Sequence, residues 1–131
     1  MAEFMKRRSA HTYALLRIIA GLLFMSHGLS KLVGFPVPGP SEAPAFVIYV
    51  GGTIEMVCGA LVAVGLQTRW AAVIASAEMA AAYFMVHFPR GFFPIANGGE
   101  LAVLYCFTFL YISAHGAGMW SADAARGTSS S

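Results

Sequence analysis

Apolar residues dominate the chain in four blocks, at about 13–32, 44–66, 70–88 and 99–115, each broken from the next by a short polar or Pro/Gly-rich segment. A helix needs about 20 predominantly apolar residues to cross a bilayer. The first three blocks meet that length and the fourth is the shortest, close to the lower limit. The breaks have local causes. Pro36, Pro38, Pro40 and Pro44 cannot continue a helix, Gln67-Thr68-Arg69 makes a tight turn, and Pro89 to Asn97 is a Gly/Pro/Phe loop. The pattern predicts an all-α, integral membrane four-helix bundle over 13–120. Residues 1–12 form an N-terminal segment ahead of it, and 121–131, small and polar, read as a disordered tail.

Ionisable residues interrupt these blocks. Arg17, His27 and Lys31 lie on the first predicted helix, Glu55 on the second, Glu78 and His87 on the third, and Glu100 at the start of the fourth. Such a group in a span costs several kcal/mol unless it is paired or hydrated, which makes it a functional candidate. At 100° per residue, Arg17, Gly21, Phe24, Gly28 and Lys31 share a stripe, Glu55 shares one with Gly51, Gly52, Cys58, Gly59 and Val62, and Glu78 shares one with Ala71, Ala75 and Ala82. Small residues beside a charge allow close helix contact, so the charges are expected to face inward. By depth, Arg17 is expected to reach toward Glu78 or Glu55, and Lys31 toward Glu100.

Structural explanations compete with functional ones. Arg17 and Lys31 are long enough to snorkel to the headgroups. Asn97-Gly98-Gly99-Glu100 has the spacing of a capping box. His27 and His87 fit interfacial positions, and Tyr13, Trp70 and Trp120 fit interfacial anchors. Glu55 and Glu78 lie too deep to snorkel and need a partner or a proton.

Composition narrows the field. The chain has 131 residues, 58% of them hydrophobic and 11% charged, more apolar surface than a soluble core of this size can bury. A net charge of +2 excludes an extended nucleic-acid surface. Cys58 and Cys106 form no CxxC motif and read as packing residues, and the spacings predict no metal site and no intrinsic cofactor. Arg17, His27 and Lys31 exclude reading the first block as a cleaved signal peptide. Lys6, Arg7, Arg8, Arg69 and Arg126 fall on one side of the predicted bundle, against Lys31 and Arg90 on the other. The positive-inside bias then predicts cytoplasmic N- and C-termini.

His27-Gly28-Leu29-Ser30-Lys31, Gly34-Phe35, Gly51-Gly52 with Glu55, Gly59, Gly65-Leu66-Gln67-Thr68-Arg69 and Asn97-Gly98-Gly99-Glu100 together resemble the DoxX family, from about Tyr13 to Trp120. That family comprises small four-helix membrane proteins of bacteria and archaea, named for a subunit associated with quinone-linked sulfur oxidation. The resemblance implies an accessory role in a quinone-linked redox system of the bacterial cytoplasmic (inner) membrane, with quinone as candidate ligand. By position it implies a polar interior of Arg17, His27, Lys31, Glu55, Glu78 and Glu100, to which the residue pattern adds His87. Expected partners are the lipid bilayer and either other membrane subunits or further copies of the chain. A structural or assembly subunit is the alternative, and a small-solute or proton carrier using Glu55 and Glu78 ranks behind both.

Overall fold

The glycines on the first two long helices set the packing. The structure, a computed structural model, describes residues 1–127. A short exposed helix α1, Ala2–Arg7, precedes the long helix α2, Ser9–Val33. The second long segment opens with a π-helical turn, Val47–Gly51, and continues as α3, Gly52–Val64. A Cβ placed on Gly21 would lie 2.5 Å from Ala63 N, and one on Gly59 would lie 2.5 Å from Met25 N. On Gly28 it would meet the backbone of Met56 and Gly52. Helices α2 and α3 therefore pack backbone to backbone, as membrane helices do where small residues line the contact.

The second hairpin is built on alanine. Helix α4, Thr68–Ala82, continues through a π-helical turn, Tyr83–His87, and a 3-10 turn, Phe88–Arg90. After a short helix α5, Pro94–Asn97, comes α6, Glu100–His115. Ala71, Ala72, Ala75 and Met79 bury against Ala102, Tyr105, Phe109 and Ile112, and Phe24 of α2 closes the same core. The Ser76 hydroxyl donates to the Cys106 carbonyl across this contact at 2.7 Å. The backbones pack closely in the order α2 on α3, α3 on α4 and α4 on α6, while α2 and α6 meet through aromatic side chains, Phe24 against Tyr105 and Phe109.

Outward-facing side chains are apolar, among them Leu15, Ile19, Leu23, Val57, Leu104 and Phe107, each roughly half exposed or more. Three segments, Ser9–Val33, Val47–Val64 and Thr68–Arg90, are long and apolar enough to cross a membrane. At 16 residues α6 is shorter, about 24 Å against a hydrocarbon core of about 30 Å. The molecule is an integral membrane helical bundle, and among the described residues it contains no strand.

The C-terminal segment differs from expectation. Residues 121–127 are not a loose tail: helix α7, Ala122–Ala125, docks on the bundle through buried Asp123. The Asp123 carboxylate accepts from Gln67 N at 3.0 Å, Thr68 N at 3.1 Å and the Thr68 hydroxyl at 3.0 Å. It thereby serves the free N–H groups at the start of α4, which any helix start must satisfy. The remainder of the expected tail, 128–131, lies outside the described residues.

Candidate functional site

The ionisable residues divide between the two ends of the bundle. At the end where α4 begins, Arg17 is fully buried and points into the C-terminal segment. Its Nη1 donates to the Ala117 carbonyl at 2.6 Å and to Met119 at 3.4 Å, and its Nη2 to Trp120 at 2.7 Å. The expected approach of Arg17 to Glu55 or Glu78 does not occur. Arg17 lies 14 positions from Lys31 on one helix, about 21 Å along the axis, and carbonyls of a loop with no helical partners lie closer. Nor does Arg17 snorkel. Tyr13, expected as an interfacial anchor, is buried beside it and donates to the Gly116 carbonyl at 2.5 Å. Arg69 donates to the carbonyls of Ser113 at 2.9 Å and Ala114 at 2.6 Å, which ends α6.

At the other end, Lys31 pairs with Glu55, Nζ to Oε1 at 2.6 Å. Lys31 was expected to reach Glu100 instead. Gly51 and Gly52 explain the difference, because they leave no side chain between α2 and the carboxylate: a Cβ on Gly52 would lie 3.1 Å from Lys31 Cβ. A Cβ on Gly51 would lie 3.3 Å from Glu78 Oε1 and 3.8 Å from Lys31 Nζ, so Glu78 joins the same cluster. Glu55 Oε2 and Glu78 Oε2 are buried with no hydrogen-bond partner among the described residues. Buried polar atoms left unpaired are uncommon and each requires a reason.

Beside this cluster lies a cavity of about 230 Å³. His27, Lys31, Glu55 and His87 line it, with Phe24, Met79, Tyr105, Leu101, Ala102 and Gly98. Four of the seven residues singled out in the sequence thus meet in one space drawn from all four long helices. Glu78 lies alongside. Arg17 is at the far end, and Glu100 is exposed at the start of α6. Glu100 forms no capping box either. No side chain caps α6, and Asn97 Oδ1 accepts from Gly99 N at 2.8 Å. Pro94 starts a separate turn that Gly98 ends at φ 75°, and Asn97 is consumed by it.

Asn97 has a different task. It is buried, its Nδ2 donates to the Gly91 carbonyl at 2.9 Å and to the Tyr83 hydroxyl at 3.2 Å, and its own carbonyl lies 3.3 Å from His87 Nδ1. A carbonyl only accepts, so this contact places the proton on Nδ1 and leaves Nε2 as the acceptor of a neutral ring. The π-helical turn Tyr83–His87 brings His87 to the cavity, and the one at Val47–Gly51 leads into Glu55. Such turns recur at functional sites because the wider winding re-aims side chains.

Residue-level reasoning missed the apolar half of the site. Phe24, Met79 and Tyr105 look like core in any periodic pattern. The one signal for Tyr105 is a phenol at the middle of an apolar block, where a hydroxyl requires a reason. Asp123 was missed because it sits in a polar segment that carries no periodicity.

Fold and site together define a small membrane helical bundle with a polar cavity at one end. The DoxX family model matches residues 12–88, and the chain belongs to that family. It is 46% identical over 116 residues to an uncharacterized protein of Haemophilus influenzae, covering 84% of this chain and 87% of that protein. A Bacillus subtilis protein named "Putative oxidoreductase CatD" is 31% identical over 113 residues, covering 83% of this chain and 82% of its own length. An uncharacterized membrane protein of Mycobacterium tuberculosis is 32% identical over 127 residues, covering 82% and 77%. No solved structure matches the chain significantly.

Proposed function

We propose that the chain is an accessory subunit of a quinone-linked redox system, and that its cavity holds the quinone ring. The observation that carries this reading is the cavity itself: an ion pair, two histidines and a tyrosine enclosed by apolar side chains at one end of a membrane bundle. Its volume of about 230 Å³ falls below the roughly 300–1,000 Å³ of sites for drug-sized ligands. That suits a single substituted ring. The Bacillus subtilis relative, by its name, supplies the redox direction.

The chemistry fits the donor set. An ammonium has three N–H donors. Glu55 takes one from Lys31, and another is available to a ring carbonyl oxygen. His87 Nε2 accepts, so it suits a quinol hydroxyl and would take that proton on oxidation. Glu55 and Glu78, each with an unpaired oxygen, would relay protons onward. Converting quinol to quinone releases two electrons and two protons. The protons would leave through these groups, and the electrons would pass to a redox-active partner subunit.

The same reading places both termini in the cytoplasm. Arg69 and α7 lie at the end of the bundle where α2 begins, together with Lys6, Arg7 and Arg8, and basic residues favour that side.

The test is purification in mild detergent, with mass spectrometry of the bound lipids and of co-purifying proteins. Quinone retained by the wild type and lost from Glu55→Gln or His87→Ala supports the proposal. Folded wild-type protein without quinone, together with a parent complex whose turnover is unchanged by Glu55→Gln, would leave a purely structural subunit as the function.

A further inference from the structure

The cavity borders a second, apolar depression on the side where α2 and α6 meet. The backbones of these two helices stand apart and are bridged by Phe24 packed on Tyr105 and Phe109; beside these rings runs a groove of about 180 Å³. Its walls are Ile19 and Leu23 on α2 and Leu101 and Leu104 on α6, all about half exposed or more. Its floor is Ala20 and Tyr105, both buried. Leu101 and Tyr105 also line the polar cavity, so cavity and groove adjoin across these two side chains. From the cavity the groove runs along the helices toward the opposite end of the bundle, since it reaches Leu16 and Thr108. From Leu23 to Leu16 this is about 10 Å along α2.

A polar cavity that adjoins an apolar groove facing lipid is matched to a ligand with the same two parts. We infer that the site takes its ligand sideways from the bilayer between α2 and α6, and that the groove seats the hydrocarbon chain of a lipid-soluble ligand whose polar head occupies the cavity. A freely water-soluble metabolite would have no use for the groove. Ala20 is central to the fit, because a larger side chain there would fill the floor on which the chain lies. The identity of the head as a quinone rests on the function proposed above; the seating of a chain in the groove does not.

The experiment uses the full-length protein in phosphatidylcholine nanodiscs. Binding of decylubiquinone is compared with binding of the same ring without its chain, each expressed per quinone dissolved in the bilayer so that partitioning cancels. The chain should tighten binding by about threefold or more, through packing in the groove alone, because a tail that leaves lipid hydrocarbon gains no transfer from water. Leu104→Trp, which fills the groove from its lipid-facing edge, should remove most of that advantage and leave the affinity of the chainless ring within about twofold. Equal affinities for the two quinones, or a Leu104→Trp variant that weakens both alike, would overturn the inference. A second arm is independent of quinone: a phenol-headed decyl chain carrying a terminal diazirine is photo-crosslinked and the labelled peptides are mapped. Label concentrated on Leu16–Leu23 and Leu101–Thr108, above that on the lipid-facing Val73 and Ile74 of α4, supports the groove. Uniform label means ordinary surrounding lipid and overturns it. Concentrated label with no quinone bound in the first arm would uphold the groove and remove the quinone.

Discussion

The two ends of this bundle treat their polar groups differently. At the end where α2 begins, Arg17, Tyr13, Arg69 and Asp123 each find backbone partners, and together they fasten the C-terminal segment across the helices. The match is not complete, since Arg17 Nε and His11 Nδ1 are buried there with no hydrogen-bond partner among the described residues. At the other end, Lys31 and Glu55 pair directly, yet Glu55 Oε2 and Glu78 Oε2 are left over, and a cavity adjoins them. A polar group that closes its bonds within the protein holds the fold together. One that keeps a bond in reserve beside an open space is available to a ligand or a proton. The difference lies in the nearest partner: loop carbonyls at one end, other side chains at the other; a cavity adjoins each end, of about 310 Å³ beside Tyr13 and His115 and about 230 Å³ beside Glu55.

The largest effect is expected at Arg17. Replacing it by Met strands the carbonyls of Ala117, Met119 and Trp120, and should lower stability by about 3–5 kcal/mol, read from denaturant unfolding in detergent. Ligand binding per folded molecule should be unchanged, since the cavity is at the far end. A loss of binding in the folded fraction would show that the two ends are coupled.

Lys31→Met should cost less, up to about 3 kcal/mol, because the lysine side chain keeps 16% of its surface exposed. Restoring the balance with Lys31→Met/Glu55→Leu should recover much of the loss in a double-mutant cycle, while binding stays abolished. Recovery of stability without recovery of binding would separate the two roles of the pair.

Asp123→Asn should cost about 1 kcal/mol, as loss of a capping carboxylate does. Burial on its own raises the Asp123 carboxyl, but the bonds from Thr68 and Gln67, with Arg126 nearby, outweigh it and hold the group below the usual carboxylate range. A carboxyl lowered in the folded state contributes fully above its unfolded value of about 3.9. That contribution disappears as pH falls through the folded value. The stability gap between wild type and Asp123→Asn should therefore be flat from neutrality to about pH 4 and narrow only below it.

The smallest effect should come from Glu100→Gln. Glu100 is exposed and outside both clusters, so stability should change by no more than about 0.5 kcal/mol, and quinone retention should not change.

Periodicity and cost of burial, both readable along the chain, determined much of this. The apolar blocks fixed an all-α membrane bundle, and the helical repeat identified two buried stripes: Arg17, Gly21, Phe24 and Gly28 on α2, and Gly51 of the π-helical turn with Gly52, Glu55, Cys58, Gly59 and Val62 of α3. A repeat of 3.6 residues fixes which side chains share a face and roughly how deep each lies, because both follow from one helix alone. The partner of each charge belonged to the tertiary structure. Lys31 meets Glu55 because glycines let α2 and α3 approach to backbone contact, and Arg17 meets the segment after α6 because that loop folds back over the bundle. The cavity and the lipid-facing groove beside it exist because α2 and α6 close the ring of helices through aromatic side chains while their backbones stand apart. That gap depends on how four helices fit around one another, and the sequence of any one of them does not contain it.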